Sequence, residues 1–162
     1  MAARTNITHP SKRALALLAV GVGSAAAASL VVAAPIPAEH VPLVPLGGEP
    51  LRDGFVEVIH PNGPEVYTRH VYKLNGAASD ESYQVVISIW TSNATCSGDP
   101  QLVLPAAVLV TNPSGNGVSE AVFDPELVAA LGLRGLTIGG KVTLFRKGSP
   151  AYATGCRVVR HD

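Results

Sequence analysis

Cysteine, tryptophan and clustered charge are what this chain has little of, and each shortage removes a class of chemistry. Only two cysteines occur, Cys96 and Cys156, and they form no CxxC pair, so neither a cysteine-rich zinc site nor a thioredoxin-like redox motif is present. Beyond the N-terminal leader the histidines are His40, His60, His70 and His161, with no HxH, HxxxH or HExxH spacing. Those spacings are the ones that bring two imidazoles to one metal from a single strand or helix. No GxSxG elbow marks a serine nucleophile. Charged residues make up 15% of the chain. Past the first 34 positions there is no Lys/Arg run and no interleaving of aromatic with basic residues, which argues against nucleic acid or an anionic membrane surface as partner. No cofactor is implied.

The basic residues that do cluster sit at the start. Arg4, Lys12 and Arg13 precede an apolar stretch from Ala14 that meets no charge until Glu39, the form of a secretory signal. Residues 1–34 are read as a signal peptide, with cleavage between 28 and 38. Small residues suit a peptidase at Ala26 and Ala28 or at Val32 and Ala34, although Pro35 directly after Ala34 counts against the second. The competing reading is an uncleaved anchor, because 14–34 is long enough to cross a bilayer, yet Ala and Gly contribute little insertion energy. Loss of Arg4, Lys12 and Arg13 from 12 basic residues leaves 9 against 12 acidic ones: a mildly acidic secreted chain with no membrane span. Arg in excess of Lys, with abundant Ala, Val and Gly, points to a GC-rich bacterial genome.

Residues 35–50, PIPAEHVPLVPLGGEP, hold five prolines and a glycine pair. Proline at that density removes ladder donors and favours extended chain, so the segment reads as a linker or N-terminal arm, either free or docked through Val41, Leu43, Val44 and Leu46. Residues 51–162 then form one domain; the roughly 120 residues left after export suffice for a single core and not for two.

The stretch from Glu81 to Cys96 reads as the central strand. Tyr83, Val85, Ile87 and Ile89 alternate with Gln84, Val86, Ser88 and Trp90, the period of a half-buried strand. Around it the turn residues set off Phe55–His60, Val66–Leu74, Leu102–Thr111, Val118–Phe123, Leu136–Arg146 and Tyr152–Arg160, with a further short strand allowed at Leu136–Ile138. Pro105 places its strand at an edge or a bulge, since proline cannot donate to a ladder. A two-turn helix is expected over 124–133, with Asp124 as cap, Pro125 at its first position and Leu127, Val128 and Leu131 on one face. Seven or eight short strands with one short helix give an antiparallel β-sandwich, with a small β-barrel as the alternative.

An even cysteine count in an exported domain reads as a disulfide, Cys96–Cys156. It ties the end of the central strand to the last strand, on which Cys156 alternates with Thr154 and Val158 and is expected to face inward. Trp90 faces away from Ile87 and Ile89, either packed beneath a second layer or exposed as a binding surface. His60 and His70 with Glu57 or Asp53 make half a metal site at most, and no metal ligand or catalytic residue is assigned. The polar run Thr111–Gly117 has no carboxylate for calcium, whereas Asn116-Gly117 is a hairpin-turn signal.

Over roughly residues 54–160, the order Leu74-Asn75-Gly76, Tyr83-Gln84-Val85, Cys96, Thr111-Asn112 with Gly115-Asn116-Gly117, and Thr154-Gly155-Cys156 resembles small exported bacterial proteins of unassigned function. It is distantly similar to sandwich domains of the chordin-repeat and superoxide-dismutase-like kind. The histidine motifs of the copper-zinc dismutases are missing here, so that resemblance implies a scaffold without the activity. The expectation is a secreted, non-catalytic domain with a binding or structural role at the cell envelope or outside the cell, its partner a protein or envelope component. The alternative is a secreted hydrolase or metal-dependent enzyme whose residues converge only in three dimensions.

Overall fold

The computed structural model describes residues 38–61 and 67–160; the expected signal peptide lies outside the described residues. In chain order the strands are β1 (Ala38–Pro45), β2 (Asp53–Ile59), β3 (Thr68–Asn75), β4 (Ser82–Trp90), β5 (Leu102–Val110), β6 (Gly117–Phe123), β7 (Thr137–Arg146), β8 (Ser149–Thr154) and β9 (Arg157–Arg160), with helix α1 (Pro125–Ala130) between β6 and β7. Every ladder is antiparallel, in the order β5-β4-β7-β8-β1-β2-β3-β6 with β9 on β7. The result is a sandwich nearly closed into a barrel.

The Pro-rich stretch read as a linker or arm is strand β1. Its residues Ala38 to Pro42 pair with β2, and Leu43 to Pro45 pair with β8. The strand thus passes from one sheet to the other and serves mainly one neighbour at a time. Pro42 and Pro45 fall at the ends of the two ladders, where a missing N–H costs least. Val41 and Leu43 point into the core at 6% and 5% exposure. Proline density masked a strand whose alternation is otherwise regular.

Strands β8 and β9 are one path along the same edge of β7. Thr143 pairs with Ala153 and Gly140 with Arg157, so Lys141 and Val142 stand opposite Thr154, Gly155 and Cys156. That extra residue is a β-bulge, and it shifts the inward-outward phase by one. Thr154 is buried while Cys156 and Val158 are exposed, so the expected inward orientation of Cys156 is corrected: alternation across a bulge does not hold. With β8 and β9 counted as one path, the sandwich has eight strands.

Central strand β4 lies between β5 and β7 and buries Tyr83, Val85, Ile87 and Ile89. It stops at Trp90 rather than at Cys96, which sits in the loop beyond. Pro105 is opposite Val86 at a register shift on edge strand β5. The stretch Leu136–Ile138 supplies the start of β7 and no separate strand. Helix α1 has Asp124 as N-cap, its carboxylate accepting from the Leu127 amide at 2.7 Å. Only Val128 of its residues is buried, and Leu127 is exposed. The β6–β7 connection has to pass β5 and β4, which lays α1 across one end of the sandwich.

The core is uneven along its length. Tyr72, Tyr83, Tyr152, Leu74, Leu109 and Leu144 fill the end near the β5–β6 turn. Tyr152 Oη donates to Pro50 O at 2.7 Å. Burial raises the pKa of both the Tyr72 and the Tyr152 phenol. The end crossed by α1 carries smaller side chains and is not filled.

Candidate functional site

At that end lies a cavity of about 320 Å³. Val41, Val56, Ile87, Leu104, Ile138 and Val142 form much of its wall, and Val128, Leu131 and Leu133 close it from the helix side. A glycine keeps part of the space open. A Cβ on Gly140 would find nothing nearer than Arg157 O at 4.0 Å. The threonine hydroxyls on the wall already serve the backbone: Thr68 Oγ1 donates to Ile59 O at 3.2 Å, and Thr154 Oγ1 accepts from Val142 N at 3.0 Å. The interior is therefore largely apolar with these hydroxyls engaged, the character of a small-molecule pocket and near the lower end of the usual volume range.

The cavity reaches solvent along one seam. Strand β1 pairs with β8 only through Leu43 to Pro45, and β9 pairs with β7 alone. Among the described residues no ladder joins the first half of β1 to β9. In a fully paired strand only alternate side chains face an interior. Here Arg157, Val158, Val159 and Arg160 all line the cavity, so it runs out to the free edge of β9. Across this seam Arg157 makes a two-pronged ion pair with Glu39. Both side chains are substantially exposed, 33% and 50%, and a pair so placed adds about 1 kcal/mol at most. Among the described lining residues Lys141 and Arg157 stand with Glu39.

The residues singled out in the sequence divide sharply. His60 and His70 both line the cavity, with the His70 ring 5.0 Å from that of Phe123 in an edge-on contact. Glu57 is on the outer face, bound to Lys73 at 3.2 Å and to His40 at 3.4 Å. Hydrogen bonds from Lys73 and His40 hold the Glu57 carboxyl below its usual range. The half-site of His60 and His70 with Glu57 or Asp53 is thus not assembled. Among the described residues no group of three His, Cys, Asp or Glu is placed to hold a metal ion.

Trp90 is buried at 6% exposure and its Nε1 donates to Gly98 O at 3.0 Å. It packs beneath the β4–β5 loop and offers no exposed anchor. That loop lies over β7: a Cβ on Gly139 would meet Cys96 Sγ at 3.0 Å and the Ala94 carbonyl carbon at 3.1 Å. The Cys96–Cys156 disulfide, with Cα atoms 5.7 Å apart, fastens the loop to the β8–β9 bulge. β4 and β9, the strands beside its two ends, both pair with β7 and not with each other. The Thr111–Gly117 run is the β5–β6 turn, in which Asn112 Oδ1 accepts from the Ser114 and Asn116 amides at 3.0 Å each. Glu39, Gly140 and Arg157 went unnoticed in the sequence, because each matters only through a partner brought from another strand.

No protein-family model matches this chain, and no curated protein or solved structure matches it either.

Proposed function

We propose that this is a secreted, non-catalytic domain that holds a small apolar molecule in the cavity between its two sheets. The observation that carries the reading is the uneven core. One end is packed with three tyrosines, and the other leaves about 320 Å³ lined by Val, Ile and Leu. Close packing is the rule in interiors, and each unfilled region of this size forfeits stability. A void of about 150 Å³ with such walls takes up benzene, so this one has room for a molecule of roughly twelve non-hydrogen atoms. The cavity carboxylate, Glu39, is engaged by Arg157, and the wall hydroxyls are engaged by backbone. Neither is arranged as a base or a nucleophile, which favours binding over hydrolysis.

Secretion is the second half of the reading. It is supported by the leader-like start and by the disulfide, which persists in oxidising compartments. Among the described residues no helix is long and apolar enough to cross a membrane. Intact-mass measurement on protein from culture medium should find a chain beginning between Ser29 and Glu39. Recovery from membranes alone, with the leader attached, would make the start an anchor.

The binding half is tested by saturation-transfer NMR with naphthalene, a neutral ten-carbon probe. The wild-type protein should show transfer, and Gly140→Leu, which puts a side chain into the open space, should abolish it while leaving the thermal midpoint undiminished. Equal transfer to both proteins would place the probe elsewhere and remove the cavity as the site.

A further inference from the structure

We infer that the cavity's ligand is an amphipathic monocarboxylate, its apolar chain of about ten carbons inside and its carboxylate on Arg157, which exchanges Glu39 for the ligand at the β1–β9 seam. This rests on the cavity being a binding site and adds which molecule it takes and where that molecule enters.

The geometry points to the seam first. A ladder closes β1 against β8 at Leu43 to Pro45, and beyond it the Glu39–Arg157 ion pair spans the opening. The cavity extends to that edge, since four successive β9 residues line it. An apolar chain entering there passes between Val41 and Val159 toward Ile87 and Val142. At the seam an apolar interior meets a charged pair, and that is the environment of a carboxylate on an alkyl tail.

The charge balance then selects the head group. Arg157 already holds a carboxylate in the two-pronged manner that a guanidinium favours. A ligand carboxylate presents the same two oxygens and brings an apolar chain besides, so it replaces Glu39 without leaving Arg157 unpaired. With Lys141 also at the lining, an anionic head is favoured over a neutral or cationic one. Glu39, on the part of β1 that only β2 holds, is the partner that yields. The exposure of the pair means that little is lost when it opens.

Calorimetric titration of the secreted protein with decanoate and with decanol, at neutral pH and low salt, decides the matter. Decanoate should bind at least about tenfold tighter than decanol, the advantage expected of a charge-assisted contact. Arg157→Gln should erase that advantage and leave decanol binding as it was. Glu39→Gln breaks the same ion pair but removes a competitor, so it should tighten decanoate severalfold and leave decanol unchanged. The opposite signs separate a head-group role from mere loosening of the fold, and both variants are to be checked for unaltered thermal unfolding. Equal binding of acid and alcohol by the wild type, or equal weakening of both by Arg157→Gln, would overturn the carboxylate assignment and leave the apolar cavity standing. An unchanged decanoate affinity in Glu39→Gln would overturn the exchange. Binding of neither compound would overturn both this inference and the cavity reading beneath it.

Discussion

Thr154 and Val142 are joined by a buried hydrogen bond in which a side chain stands in for a backbone carbonyl: the Val142 amide donates to Thr154 Oγ1 at 3.0 Å. The bulge between β8 and β9 takes the ordinary ladder partner away from Val142, and Thr154, at 5% exposure, replaces it. Thr154→Val keeps the volume and leaves that amide buried without a partner, which costs about 1–3 kcal/mol. Urea unfolding should show that loss, and Thr154→Ser should recover most of it. A Val variant as stable as wild type would mean that the amide finds another acceptor.

Gly115 carries a second local constraint. Its φ is +73°, and a Cβ there would lie 2.0 Å from Ala77 O. Gly115→Ala therefore combines a left-handed backbone, worth about 1 kcal/mol, with a collision against a carbonyl. Gly98 is the matched control: its φ is +72° and nothing lies within 4 Å of a Cβ. The Gly98→Ala protein should lose only the backbone portion, and the difference between the two denaturation midpoints isolates the packing against Ala77.

These two sites mark where the chain's sequence was readable. The alternation of Tyr83, Val85, Ile87 and Ile89 placed the central strand, because burial on one face leaves a period of two. Pro105 foretold an edge or a bulge: its strand β5 ends the sheet, and its register with β4 shifts between Val85 and Val86. Asp124-Pro125 located the helix start to the residue. What stayed hidden depends on pairing. The prolines of 35–50 read as a linker or an arm, free or docked, because nothing local says that β1 divides its ladder between two sheets. Cys156 was given the wrong face because the bulge that turns it outward comes from its register with β7. The cavity is made by what is missing, a side chain at Gly140 and a ladder between β1 and β9, and neither leaves a trace in hydrophobic periodicity.

The disulfide spans a sequence separation of 60. On the chain-entropy estimate a loop of that size is worth about 4 kcal/mol. Cys156 is exposed, so a reductant reaches the bond without unfolding the domain. Reduction or Cys156→Ser should lower stability by about 2–5 kcal/mol in chemical denaturation, with the far-ultraviolet spectrum of the folded protein retained. Two reactive thiols per native chain would show that the bond does not form.

Alkaline pH should unfold the domain through Tyr72 and Tyr152. Burial raises both phenols above their usual value near 10, so the folded state keeps protons that the unfolded state gives up. Stability is complete below pH about 10 and falls as pH rises beyond it, because only the unfolded chain then ionises. Absorbance at tyrosinate wavelengths, followed together with circular dichroism, should show these two of the four tyrosines titrating as the fold is lost. Tyr72→Phe should flatten the alkaline limb of the stability curve, and an unchanged limb would remove Tyr72 from its cause.

The division of β1 between two sheets sets an order on folding. β2, β3 and β4 follow β1 closely along the chain, yet β1's second partner is Tyr152 to Thr154, and Glu39 bonds to Arg157 across a separation of 118 residues. Contacts that distant are slow to form and come late. A chain delivered from its N-terminus, whether from a ribosome or through a translocation pore, can pair β1 with β2 at once. It cannot seat Leu43 and Val44 against β8 until nearly all of it has arrived. Until then the two sheets have no shared strand, and the tyrosines that later fill one end have no lid. By either route the two sheets are joined only after β8 has arrived.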